Sequence, residues 1–250
     1  MIKQPTYEIE GCVKPVTNLR LFVDEFAKFF LTITNKILSK IMFVICVKMR
    51  DPLWKREKFI YGYDYIRFST LELVSHEIYE NNIQGCVAEL GVYRGDFACC
   101  INKAFPDRNL YLFDTFEGFD QKDLMGDTKS NFSKNSEKVF TNTNVNIVLK
   151  KMKHKNKCII KQGWFPETTK DVEEKFAFVS IDCDLYEPIY NGLKYFFPHL
   201  SEGGYIFVHE YTSAIYKGSR EAVKRFLSEE HNAHLFPLTD QGGTGIIKKS

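Results

Sequence analysis

The stretch "CVAELGVYRGDF", Cys86–Phe97, begins as a short apolar run and then places an acid, two glycines and an arginine within seven residues. An apolar strand, a glycine turn and the start of a helix are the opening of a β-α-β unit. In such a unit the turn after the first strand approaches a ligand most closely. Gly91 and Gly95 fall on that turn, where glycine permits positive φ and removes the Cβ that would hold a ligand away. The following helix directs free amide N–H groups at the same place, and Glu89 ends the strand with a carboxylate.

Outward from this stretch, strands and helices alternate. The spacing predicts a helix over 66–81, strands over 86–90 and 109–114 with a helix over 96–104 between them, and further strands over 157–161, 176–181 and 204–208. Helices are expected over 187–197 and 219–229, and the closing "TGIIKKS" supplies a last strand at the edge. The expected fold class is α/β, a mainly parallel sheet with helices on both faces. The interval Phe119–Asn144 breaks the rhythm: it is rich in Ser, Asn, Asp and Lys and almost without apolar periodicity. It reads as a polar lid inserted on the scaffold, with a solvated linker as the alternative.

Upstream, Leu21–Arg50 is apolar but is interrupted by Asp24, Glu25, Lys28, Asn35, Lys36 and Lys40, too often for a membrane span. Phe22, Phe26, Phe29, Phe30, Ile33, Ile37, Ile41 and Val44 recur at helical spacing. The expectation is an N-terminal helical extension over 1–60 that packs on the remaining domain, 61–250, or on a second copy, so that a homo-oligomer is predicted. Attachment to a membrane surface through its lysines is the lesser alternative.

The 250 residues carry 34 basic and 32 acidic side chains, interspersed, for a net charge of +2, which gives no reason to expect nucleic acid. Seven cysteines, an odd number without a C-x-x-C pair, and the mixed, polar "MIKQPTYEIEGC" fit a cytoplasmic protein without an export signal. Adjacent Cys99 and Cys100 read as small packing residues on the helix after Gly95.

Two groups of strand-end residues suggest chemistry. A dinucleotide's pyrophosphate wants G-x-G-x-x-G, whereas Val92 and Tyr93 follow Gly91 with no second close glycine. The acid Glu89 instead suits a cofactor with a positive amino group, such as the amino-acid end of S-adenosylmethionine. Asp114, at the tip of "LYLFD", stands where an acid accepts hydrogen bonds from a ribose diol, a geometry NAD enzymes share, so it indicates an adenosine cofactor without naming it. Capping the next segment is its structural alternative. In the second group, Asp182 and Asp184 follow one apolar strand and His209 and Glu210 follow the next. Convergence of these donors at neighbouring strand tips is a reason to expect a divalent cation, Mg²⁺ or Mn²⁺, although Asp184 as a helix cap and His209 bonded within its turn remain open. His231 and His234 lack partners and read as surface.

The segments "ELGVYRG", "LFDTFEGF", "KQGWFPET", "SIDCDLYEP" and "GGYIFVHEY", in this order over about 63–227, resemble the macrocin O-methyltransferase family. The resemblance implies a class I methyltransferase (Rossmann-like) fold, S-adenosylmethionine as donor, a divalent ion near the acceptor, and a sugar hydroxyl as acceptor, free, nucleotide-linked or in a glycan. It puts Glu89, Gly91, Tyr93 and Gly95 around the methionine part, Asp114, Thr115 and Phe116 near the ribose, and Gln162, Gly163 and Trp164 near the adenosine or the site wall. Asp182 matches the family's first metal acid and also a candidate base at the cofactor. His209 and Glu210 stand where the family has two consecutive aspartates, which makes His209 either a third ligand or the general base, its ordinary pKa of about 6.5 suiting proton acceptance.

Overall fold

The computed structural model describes residues 18–41, 45, 64–135 and 138–249. The chain forms two units, Met1–Lys58 and Phe59–Ser250. In the first, helix α1 (Asn18–Leu38) passes into one 3-10 turn, Ser39–Ile41. Phe26, Phe29, Phe30, Ile33 and Ile37 are exposed along it. Val44 lies outside the described residues. Among those described, no helix is long and apolar enough to cross a membrane.

The second unit runs α2 (Tyr65–Glu80), β1 (Cys86–Leu90), α3 (Asp96–Ala104), β2 (Leu110–Asp114), α4 (Gln121–Lys129), α5 (Val145–Lys151), β3 (Cys158–Gln162), β4 (Phe176–Ile181), α6 (Tyr186–His199), β5 (Leu200–Val208), α7 (Lys217–Glu229), β6 (Ala233–Pro237) and β7 (Gly245–Lys249). The strands form one sheet in the order β3-β2-β1-β4-β5-β7-β6. β1 to β5 pair in parallel, while β7 is antiparallel to β5 and β6 to β7. Alternation along each strand supplies both faces. Val87 and Phe178 pack into the core with α2, α3 and α5, whereas Ala88, Leu90 and Ile181 pack with α6 and α7. The order reverses between β1 and β4, and at that switch point, beyond the strand carboxyl ends, lies the main cleft.

One expectation is corrected. The C-terminal strand β7 is not at the edge: it pairs with β5 on one side and β6 on the other. The edge strand β6, "AHLFP", escapes sequence reading because it leaves His234, Phe236 and Pro237 exposed and ends in proline. The 119–144 interval, read as a polar insertion, has regular structure of its own. It contains α4, whose start is capped by Asp120 accepting from Lys122 N at 2.8 Å. Leu124 is the apolar side chain that α4 buries, together with Asp123 and Asp127, so no apolar period announces it. Asp127 in turn accepts from the backbone N–H of Tyr186 at 2.9 Å, supplying from the insertion the cap that α6 lacks locally.

Candidate functional site

The turn after β1 is held by the acid at the end of β2. Asp114 Oδ2 accepts from the backbone N–H of Val92 at 2.6 Å and of Tyr93 at 2.8 Å, and Oδ1 accepts from Phe116 N at 2.6 Å. A carboxylate has about four acceptor positions, so a ribose hydroxyl still finds room there. In this structure, however, Asp114 acts as a clamp on the turn and a cap on its own next segment. Gly91 (φ +83°) and Gly95 (φ +75°) need the left-handed region. A Cβ on Gly91 would stand 2.2 Å from the Asp182 carbonyl oxygen, which excludes any other residue from the crossing.

Glu89 shares its strand face with Val87 and is 2% exposed. Its Oε2 has no hydrogen-bond partner. Burial pushes its carboxyl well above the usual range, Asp182 adds to this, Arg67 opposes it and Asp114 reinforces it. An unpaired buried acceptor on the wall of a cleft of about 1020 Å³ fits a cationic ligand group. The ammonium of an amino-acid moiety satisfies this demand, so the residues present fit S-adenosylmethionine.

The tips of β4 and β5 are neighbours, as expected, and bring Asp182 to His209. The geometry is not that of an open metal site. His209 Nδ1 is 2.9 Å from Asp182 Oδ1 and 3.6 Å from Glu210 Oε1, so the ring nitrogen stands between the two carboxylates where an ion held by both would sit. Asp182 Oδ2 receives Nη1 and Nη2 of Arg67, both at 3.0 Å. Burial raises the Asp182 carboxyl, but Arg67 and then His209 outweigh it and hold the group well below the usual carboxylate range. A donor set already neutralised in this way does not fit a divalent cation at Asp182, His209 and Glu210. Asp184 (φ +61°) is buried and raised well above the usual range by burial, then by Asp182 and Glu210. It does not cap α6, whose cap position is Leu185.

Of the remaining expected residues, Tyr93, Thr115, Gly163, Trp164 and Glu210 border the cleft. Phe116 is buried in the core instead. Gln162 is exposed and reaches only the Thr115 carbonyl, at 3.4 Å. Tyr93 donates to Asn142 Oδ1 at 2.6 Å and meets the Phe140 ring edge-on at 5.0 Å, which ties the polar insertion to the turn. Trp164 Nε1 donates to Asp123 Oδ2 at 3.2 Å, a second tie. Tyr211 packs in the core and Lys217 is exposed, while Tyr216 faces the cleft.

Sequence reading missed Arg67. Its signal was present: Arg67, Leu71, Val74 and Ile78 share one face of α2, and all are buried. A basic residue inside an apolar stripe is a candidate for a buried ion pair.

The comparisons with known proteins agree with this architecture. Mycinamicin III 3''-O-methyltransferase of Micromonospora griseorubida is 27% identical over 173 residues, 64% of this chain and 67% of that protein. Demethyldecarbamoylnovobiocin O-methyltransferase of Streptomyces niveus is 25% identical over 163 residues, 58% of this chain and 60% of that protein. Among solved structures, the O-methyltransferase NovP superposes with a TM-score of 0.59 at 21% identity, covering 74% of this chain and 80% of its own. The calicheamicin methyltransferase CalS11 does so at 0.59 and 16%, covering 96% of both. These likenesses establish the class I methyltransferase fold. The family model described as macrocin-O-methyltransferase (TylF) matches residues 62–245, a stretch that contains the cleft and the strand-end acids, and the chain belongs to that family.

Proposed function

We propose that the protein transfers a methyl group from S-adenosylmethionine to a hydroxyl of a sugar, in the assembly of a surface glycan or a natural product. The observation that carries this reading is Glu89, a buried carboxylate with an unpaired oxygen at the Gly91–Gly95 turn, across from the Asp182–His209 pair on the adjacent strand tips. The family's name and those of its two curated relatives specify oxygen methylation, which supports the reaction class. A sugar as acceptor rests on the resemblance.

When bound, S-adenosylmethionine supplies an electrophilic methyl on a sulfonium. The chain's own residues then have separable tasks. Glu89 receives the ammonium, Gly91 lets the backbone come close, and Asp114 holds the turn and offers its remaining acceptor capacity to the ribose. Asp182 keeps Nδ1 of His209 as the hydrogen-bearing nitrogen, which leaves Nε2 as the acceptor of a proton. Trp164, Phe140 and the insertion wall the cleft against water. Localisation in the cytoplasm, where S-adenosylmethionine is made, belongs to the same proposal.

The test is calorimetric titration with S-adenosylhomocysteine, with NAD as control, followed by a screen of sugar and nucleotide-sugar acceptors. Binding of S-adenosylhomocysteine and methylation of a sugar hydroxyl are expected. Binding without turnover across a broad acceptor panel would favour a cofactor-binding protein that keeps the fold without catalysis, and binding of NAD alone would favour an oxidoreductase.

A further inference from the structure

The geometry points to an acceptor site that works without a divalent cation: Arg67 and His209 neutralise and orient Asp182, and His209 Nε2 takes the acceptor proton. This rests on the methyltransferase reading and deepens it. Motif order assigns Asp182 to a metal, yet its two oxygens are spoken for by nitrogen donors at 2.9–3.0 Å.

Arg67 is not a passing surface cation. It is 6% exposed, its guanidinium lies 3.9 Å from the centre of the Phe97 ring, and Nη2 also reaches Ser180 Oγ at 3.4 Å. Releasing Asp182 to a metal would strand this charge in the protein interior, and leaving the pair intact would put the ion within a few ångströms of a fixed positive group. Both arrangements are unfavourable beside the closed pair.

The far side of the His209 ring completes the arrangement. Donor atoms of Asp64, His209 and Asp240 lie within 4.8 Å of one another. These acids already have partners: Asp64 Oδ1 accepts from Arg67 N at 3.2 Å, and Asp240 accepts from the backbone N and Oγ1 of Thr244, both at 2.5 Å. A Cβ on Gly242 would stand 2.2 Å from Nε2, so a glycine at this position is what keeps a side chain off that nitrogen. His209, Asp64 and Gly242 all border the cleft, which brings an acceptor bound there to this ring.

The step balances without an added ion. The acceptor O–H bond breaks with its proton passing to Nε2. The oxygen bonds the methyl, and the electron pair of the breaking S–CH₃ bond stays on sulfur. The positive charge of the sulfonium ends on the imidazolium. His209 is the catalytic residue here; Arg67 is a positioning residue acting through Asp182.

The experiment titrates Mn²⁺, followed by electron paramagnetic resonance, into chelator-stripped full-length protein with and without S-adenosylhomocysteine. It compares wild type, Arg67→Met, Arg67→Lys, Asp182→Asn and Asp64→Asn, with methylation of any acceptor measured in parallel with chelator and with Mg²⁺. Wild type is expected to leave Mn²⁺ free up to about 1 mM, and chelator to leave turnover unchanged. Arg67→Met, which frees Asp182, is expected to gain a Mn²⁺ site that Arg67→Lys lacks. Micromolar Mn²⁺ binding by wild type, whether lost in Asp182→Asn or in Asp64→Asn, overturns the inference, as does turnover abolished by chelator and restored by Mg²⁺. Should Arg67→Met fail to fold, the wild-type and Arg67→Lys titrations decide. Failure of the methyltransferase reading shows separately, as absent S-adenosylhomocysteine binding whatever the metal result.

Discussion

Gly91 and Asp182 meet at the switch point of the sheet, where a Cβ on Gly91 would lie 2.2 Å from the Asp182 carbonyl oxygen and 2.6 Å from its carbon. The contact is between backbones, so no side-chain rotation relieves it. Gly91→Ala also forces alanine to φ +83°. A loss of at least about 2 kcal/mol of stability is expected. Urea unfolding measures it, and S-adenosylhomocysteine binding should weaken beyond what the fraction unfolded explains, because the β4 tip moves with the turn.

Asp114→Asn replaces a carboxylate that accepts from three backbone N–H groups. The amide keeps one acceptor oxygen and turns an N–H₂ toward other N–H donors. About 1.5–3 kcal/mol of stability should go, with a larger proportional loss in S-adenosylhomocysteine affinity. Equal affinity in calorimetry would show that the clamp and the ribose are unconnected.

Glu89→Gln should separate binding from stability. The native Glu89 carboxyl is held well above its ordinary value of 4.5, mainly by burial. The folded protein therefore keeps a proton that the unfolded chain loses as pH rises past 4.5, and this group's contribution to stability declines above that pH. The variant without cofactor should lose that decline and be no less stable than wild type at neutral pH. Its affinity for S-adenosylhomocysteine should fall by about tenfold to a hundredfold, the worth of a hydrogen bond to a charged group. Thermal melts across pH and calorimetry report the two effects independently.

Asp123 offers an optical readout of the insertion. Burial pushes its carboxyl from 3.8 up to about 7, opposed by the Trp164 hydrogen bond and helped by Asp120, Glu187 and Asp127. Its proton is retained by the folded state and lost by the unfolded chain between these values, so its contribution to stability falls as pH rises from about 4 to 7 and is level above. Trp54 and Trp164 are the only tryptophans. In a Trp54→Phe background, Trp164 fluorescence should titrate with a midpoint near 7, and Asp123→Asn should abolish the transition. A flat profile in both proteins would separate α4 from the cleft wall.

Local sequence determined the parallel core of this protein. The apolar runs at 86–90, 110–114 and 176–181, the first and third followed directly by Gly91 and Asp182 and the second closed by Asp114, specify strands and turns through interactions a few residues long, and their tips carry the candidate site. The insertion helix and the edge strand β6 were not legible, because α4 buries carboxylates and β6 leaves three of its five side chains in solvent, so neither shows an apolar period. Tertiary structure alone decided the state of the acids. Asp182 reads as a metal ligand in its motif; Arg67, 115 residues earlier, and His209, 27 residues later, make it one member of a closed ion network. Charge compensation across a sheet switch point depends on which helix packs over which strand tip, and that is a property of the folded chain, not of the segment.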